Sequence, residues 1–158
     1  MPPYYLWRTV FFVIPCITVY TIVFGTMSLL SSLFDSKGHF AHWCAQMWSR
    51  LILATSRVRV VARGMERLEP GRTYVFVANH QSLFDIPILF WSLPYQLRII
   101  AKKELLYIPL FGQAMARAGH IPIDRGKREA AVAGLRRASA VMRETGVSVT
   151  LAPEGTRS

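Results

Sequence analysis

Cysteine is scarce: two in 158 residues, so no disulfide framework holds the chain together, and the pair has no zinc-finger spacing. Negative charge is scarce as well. Nine Asp and Glu stand against 19 Lys and Arg, a formal net charge of +10, and charged residues of either sign make up only 18% of the chain. Internal repeats and low-complexity tracts do not occur. Disorder needs low hydrophobicity, and the 52% apolar content excludes it. The length suits one ordinary domain plus a small accessory element. A chain both apolar and basic is either a nucleic-acid binder or a protein seated on an anionic membrane surface. Nucleic acid would require a dense basic helix or a ribonucleoprotein motif with interleaved aromatics, and neither is found.

The longest gap in charge runs from Thr9 to Phe34, 26 residues between Arg8 and Asp35. A helix of that length measures roughly 39 Å at 1.5 Å per residue. It spans a hydrocarbon core of about 30 Å with some tilt. Pro15 and Gly25 are costly in a soluble helix but tolerated in a membrane one. Two other readings stay open: a secretory signal with its cleavage region near Ser28 to Ser32, and a re-entrant or surface-lying hairpin bent at Gly25. Next, His39 to Thr55 carries Phe40, Trp43, Met47, Leu51 and Ala54 at helical spacing, the pattern of an amphipathic interfacial helix. Trp43 and Trp48 beside Arg50 suit the headgroup level. His39, His42 and Cys44 match no tight metal-ligand motif. All nine acidic residues and 18 of the 19 basic ones lie from Asp35 onward, which favours the cytoplasmic side for that part.

From residue 57 the pattern becomes α/β, a mixed, largely parallel sheet flanked by helices. Strands are expected at Val58–Ala62, Thr73–Ala78, Leu97–Ala101, His120–Ile123 and Val147–Leu151. Helices are expected at Asp85–Leu93, at Pro109–Ala118 with proline in the first turn, and at Lys127–Thr145. The last has an apolar stripe of Ala131, Leu135, Ala138 and Met142, and a solvated face with Arg128, Arg136, Arg137 and Arg143.

Polar sets follow successive strand candidates. Asn79, His80 and Asp85 follow the second, Lys102-Lys103 the third, Asp124-Arg125 the fourth, and Glu154-Gly155-Thr156-Arg157 the fifth. In a parallel sheet all of them gather at the carboxyl edge, where α/β folds bind ligands. Lys102, Arg125 and Arg157 then converge beside His80, which points to a phosphate-bearing ligand next to a general base. Singly these residues have plainer readings: Asp85 as a helix cap, Glu154 with Arg157 as a turn-stabilising ion pair.

The segment Asn79-His80-Gln81-Ser82-Leu83-Phe84-Asp85 resembles the NHxxxxD block of the glycerolipid acyltransferases, the family containing 1-acylglycerol-3-phosphate acyltransferase. Lys102-Lys103-Glu104-Leu105 with Ile108-Pro109 and Gly112 is similar to that family's lysine segment. Gly119 through Arg125 is similar to its second block, and Pro153 through Ser158 to its third. Pro122 and Ala152 replace residues that are usually aromatic in those blocks, which bears on chain or acceptor preference. The resemblance covers about residues 57 to 158 and implies three parts: an anchor over 1–35, an interfacial helix over 36–56 and an acyltransferase domain over 57–158. The chain stops directly after the third block, so that domain is expected to be incomplete at its C-terminus.

What the resemblance implies is acyl transfer from a thioester to the hydroxyl of a lysophosphatidate at a membrane, here the cytoplasmic face of a bacterial inner membrane. His80 is then the base and Asp85 its orienting partner, the logic of a Ser-His-Asp triad with the substrate hydroxyl in place of serine. Lys102, Arg125 and Arg157 hold the phosphate, and Glu154, Gly155 and Thr156 shape its pocket. No metal or bound cofactor is implied; acyl-coenzyme A or acyl-carrier protein is a co-substrate. Glycerol 3-phosphate or another lysolipid as acceptor, and a non-catalytic lipid-binding protein, are the alternatives.

Overall fold

Proline decides how the chain begins. Pro15 has no N–H, and its ring crowds the carbonyl four residues back. In the computed structural model, which describes residues 3–124, 126 and 128–153, the turn ahead of it widens into a π-helix over Thr9–Val13. The helix therefore passes unbroken from α1 (Pro3–Arg8) into α2 (Ile14–Ser31). From Tyr4 to Ser31 it is 28 residues with a mean hydropathy of 2.1, long and apolar enough to cross a membrane. Gly25 is not a bend. The helix runs through it, and the missing side chain admits Leu110, whose Cγ is 3.3 Å from where a Cβ would stand.

Gly38, at φ 68°, turns the chain into α3 (His39–Thr55), which runs back along α2. Trp48 Nε1 donates to Thr21 Oγ1 at 3.0 Å, and the rings of Phe24 and Trp43 meet edge-on. At the far end Arg8 Nη2 donates to Thr55 O at 2.6 Å. The start of the first helix and the end of the third thus lie side by side. Ala41, Cys44, Ser49, Ile52 and Leu53 are the buried residues of α3. On the opposite side of the helix Phe40, Trp43 and Leu51 are exposed.

The sheet has four strands: β1 (Val75–Val77), β2 (Leu97–Lys102), β3 (Ile121–Ile123) and β4 (Ser148–Leu151). Their order is β1-β4-β2-β3, and every pairing among the described residues is parallel. Strand β2 is central and buried from Leu97 to Ala101, with Arg98 buried among its apolar neighbours. Leu97, Ile99 and Ala101 pack with Phe90, Leu93 and Met115 on one side; Ile100 packs with Ile121, Ala138 and Val149 on the other. The first layer comprises α4 (Asp85–Ser92) and α5 (Phe111–Arg117), and the second α6 (Arg128–Thr145). Gly134 allows α6 its close approach, since a Cβ there would meet Ile123 Cγ2 at 2.1 Å. The turn between α2 and α3 is bound to this sheet. Gln96 Nε2 and Arg98 Nη2 both donate to Lys37 O, at 2.8 and 3.2 Å.

Three expectations need correction. Val58–Ala62 forms no strand: it leaves α3 through Arg57 at φ 57°, finds no partner among the described residues, and leaves Val61 exposed. β-Branched residues favour extended backbone, but a strand also needs a neighbour for its amides. Pro109 lies outside α5, because Leu110 takes φ 63° and the helix starts only at Phe111. Leu135 of the α6 stripe is exposed, while Ala138 is buried and Ala131 and Met142 are half-buried.

Candidate active site

The NHxxxxD segment begins just past the end of β1. Ala78 N donates to Leu151 O at 3.1 Å, one more rung beyond the strand, and the chain then leaves the sheet through Asn79 and His80. The turn from Gln81 to Phe84 is closed on itself: Asp85 N donates to Ser82 O at 3.3 Å, and Phe84 N to Ser82 Oγ at 3.2 Å. Asp85 is the first residue of α4, yet its carboxylate does not cap that helix. Asp85 Oδ2 reaches back to accept Gln81 N at 2.8 Å, Ser82 N at 3.0 Å and His80 Nδ1 at 3.0 Å. Five residues separate His80 from Asp85 in sequence, and the turn brings them into contact.

Burial opposes the charge on Asp85, but the Ser82 amide, His80 and the Gln81 amide together outweigh it and hold its carboxyl below the ordinary value. An ionised carboxylate can only accept, so Nδ1 of His80 carries a proton. The lone pair of the neutral ring is then on Nε2. The histidine side chain is 25% exposed and that of Asp85 19%, an oriented pair open to a ligand. Such a ring can take a proton from a hydroxyl while its carboxylate partner steadies the resulting cation.

The lysine doublet sits at the end of β2. Register pairs Lys102 with Ile123 and Val77 with Leu151. Ile99 is paired with Thr150, so the strands that lead to Asn79 and to Lys102 flank β4 and run the same way. Lys102 is exposed, with Nζ 3.8 Å from Glu104 Oε1. Lys103 is engaged differently: its Nζ lies 2.6 Å from Asp124 Oδ2, and that hydrogen bond and charge raise its pKa. The sequence singles out Lys102 and Arg125 from the two doublets; the pair formed by their neighbours follows from register, which the sequence alone does not supply. Arg125, Glu154, Gly155, Thr156 and Arg157 lie outside the described residues.

Two more histidines serve the amino-terminal half of β2. His120 Nδ1 accepts Ile99 N at 3.1 Å, and His42 Nδ1 faces Leu97 N at 3.5 Å. Desolvation, then the charge of Arg98, push their pKa values down to about 3 and about 4. They are neutral acceptors for a strand, and the geometry alone separates them from His80. Among the described residues no cluster of three His, Cys, Asp or Glu side chains could hold a metal.

Behind α4 lies an apolar cavity of about 90 Å³ between the helix pair and the sheet. Phe24 and Gly25 of α2, Trp48 of α3, Phe90 of α4 and Met115 of α5 line it, and so does Ile86, the neighbour of Asp85.

Comparison with known proteins agrees with this layout. The family model described as Acyltransferase matches residues 59–158. The 1-acyl-sn-glycerol-3-phosphate acyltransferase of Saccharomyces cerevisiae is 33% identical over 139 residues, 85% of this chain and 45% of the yeast protein. The human 1-acyl-sn-glycerol-3-phosphate acyltransferase alpha is 37% identical over 100 residues, 63% of this chain and 35% of the human one. Among solved structures, the 1-acyl-sn-glycerophosphate (LPA) acyltransferase PlsC of Thermotoga maritima superposes with a TM-score of 0.74 at 26% identity. That match covers 97% of this chain and 61% of the Thermotoga one. The chain thus spans less than half the length of these yeast and human relatives.

Proposed function

Because the chain belongs to the acyltransferase family, we propose that it moves a fatty acyl group from an acyl thioester to the free hydroxyl of 1-acyl-sn-glycerol 3-phosphate, giving phosphatidate. The observation that carries the reading is the His80–Asp85 pair, its carboxylate fixed by two backbone amides, just past the carboxyl end of a strand in a parallel sheet.

The hydroxyl proton passes to Nε2 of His80 as the hydroxyl oxygen attacks the thioester carbonyl carbon. Asp85 stabilises the imidazolium. Collapse of the tetrahedral intermediate breaks the carbon–sulfur bond, and the departing thiolate takes the proton back. The ester product and free thiol balance the reaction, and no acyl-enzyme is needed. Lys102 binds the acceptor's phosphate and holds the hydroxyl near the base; orientation of this kind contributes several kcal/mol. Arg125 and Arg157, with Glu154, Gly155 and Thr156, are assigned to the same phosphate pocket by their sequence blocks alone. The apolar cavity behind α4, at about 90 Å³, has room for a few methylenes of the acyl chain and not for its whole length.

The site belongs at a membrane, because acceptor and product are both lipids. Supporting this, the Tyr4–Ser31 helix keeps Phe11, Phe12 and Ile22 exposed, and α3 presents Phe40 and Trp43. Arg8 beside Thr55 favours a helix pair that enters from the catalytic side over a single crossing, and the excess of cations favours the cytoplasmic leaflet. The acyl carrier, coenzyme A or acyl-carrier protein, is a co-substrate, and no bound cofactor is assigned.

Acyl transfer from oleoyl-coenzyme A to lysophosphatidate, in detergent or vesicles, tests the reading on the full-length protein. His80→Ala is expected to lower the rate by about 10²–10⁴-fold at unchanged folding. Equal rates in both proteins would remove His80 from the mechanism. Turnover of glycerol 3-phosphate in preference to lysophosphatidate would replace the acceptor.

A further inference from the structure

Between β2 and α5 the chain turns its apolar residues both ways. Leu106 packs against the core of the sheet, and so does Phe111, whose ring meets that of Trp48 on α3. Leu105, Tyr107 and Ile108 point outward instead, 36%, 76% and 45% exposed. The segment is braced. Ile108 N donates to Leu105 O at 3.3 Å, and Gly112 N to Ile108 O at 2.8 Å. A Cβ at Gly112 would collide with the Leu106 carbonyl, so α5 lies directly on this turn. Leu110 takes φ 63°, a strained value for leucine, and sends its side chain into the notch at Gly25 of α2. Single exposed apolar residues need no explanation, but three within four residues on a braced turn do.

What covers them is indicated by what they adjoin. The contact of Leu110 with Gly25 brings the turn alongside α2, and Ile22, one helical turn before Gly25 on the same side, is exposed as well. Tyrosine, with an apolar ring and a polar tip, is a residue of the membrane–water boundary, and the leucine and isoleucine beside it suit the acyl side of that boundary. We propose that the turn Leu105–Ile108 is a second lipid-contacting element, which dips into the leaflet beside the helix pair and seats the carboxyl end of β2 at the bilayer surface. The inference rests on the membrane reading above and adds to it a contact made by the sheet domain itself.

Quenching by brominated lipids tests this on the full-length protein in vesicles of phosphatidylethanolamine and phosphatidylglycerol. Cys16→Ser removes the half-buried native thiol. In that background a nitrobenzoxadiazole label is placed on Ile108→Cys, on Ile22→Cys, and on Arg136→Cys, which is exposed on α6 across the sheet. Lipids brominated near the headgroup end of the chain are expected to quench the Ile108 label about twofold, the mark of a contact only ~5–10 Å deep. Lipids brominated near the terminal methyl should quench it less, and neither should quench the Arg136 label.

Turnover gives a second readout. Tyr107→Asp combined with Ile108→Asp should lower acyl transfer to lysophosphatidate about tenfold in vesicles. In detergent micelles, where no leaflet has to be met, it should stay within about threefold of the parent, which also shows that the variant folds. Ile22 and Ile108 labels that both escape quenching overturn the proposal together with the membrane reading beneath it. A quenched Ile22 label, with the Ile108 label no more quenched than that at Arg136, overturns the contact of the turn alone. Cross-linking of Ile108→Cys to its own copy, without lipid quenching, would give the patch to a second molecule of this chain and overturn the lipid contact. Parental turnover of the double variant in vesicles overturns the part of the turn in seating the site.

Discussion

His80 and His120 both present Nδ1 to a polar neighbour about 3 Å away, and they end up as opposite tautomers. At the carboxyl edge of the sheet, His80 Nδ1 meets a carboxylate, so it carries the proton and leaves the lone pair on Nε2. At the seam between sheet and helix pair, His120 Nδ1 meets the N–H of Ile99, so the lone pair is already used. The first arrangement can accept a proton on Nε2; the second spends its acceptor on an amide within a strand. What separates them is the polarity of one neighbour, not the residue type or its burial.

The largest effect that would break this contrast comes from reversing that neighbour. Asp85→Asn offers His80 an amide that can donate, and it weakens the anchor for the Gln81 and Ser82 amides. The rate is expected to fall by about 10³–10⁴-fold, as in triads altered this way. A rate within tenfold of the parent would mean that the His80 tautomer is set by something else.

Acid should find the second region first. In the unfolded chain both seam histidines titrate near 6.5; folded, His42 and His120 are held at about 4 and about 3. Folded values below unfolded ones mean that their stabilisation is complete above pH 6.5 and is lost as the pH falls from there toward the folded values. For His120 alone the loss at pH 4 is on the order of 3 kcal/mol. Tm should therefore decline steadily below pH 6.5. His120→Asn, whose Oδ1 can stand where Nδ1 stood, should flatten that decline and leave acyl transfer within about threefold. A variant with the parent's slope would remove His120 as its cause.

The smallest change sharpens the site itself. Ser82→Ala removes the hydroxyl that accepts Phe84 N but leaves the Ser82 amide on Asp85. Its cost should be about 1 kcal/mol in stability, with kcat down less than tenfold. A larger fall in kcat would give the Ser82 hydroxyl a part in catalysis.

Much of this was legible in the residues because each strand is short and each is followed by polar groups. The runs at β1, β2, β3 and β4 are recognisable to within two residues, since each is short, mostly apolar and bounded by turn formers. Val58–Ala62 looks no different, and what distinguishes it is that no partner strand stands beside it among the described residues. The stripe on α3 was correctly periodic, but periodicity cannot tell a face turned to protein from one turned to lipid. Phe40 and Trp43 are outside, while Cys44 and Leu53 are inside. In the site, His80 and Asp85 could be paired because one tight turn joins them. Lys103 and Asp124 are 21 residues apart, and their meeting depends on the β2–β3 register.

A single carbonyl, Lys37 O, takes bonds from both Gln96 and Arg98. Gln96 lies just before the central strand and Arg98 within it, so the turn that joins the two long helices is stitched to the start of that strand, and a displacement of the helix pair is felt there first.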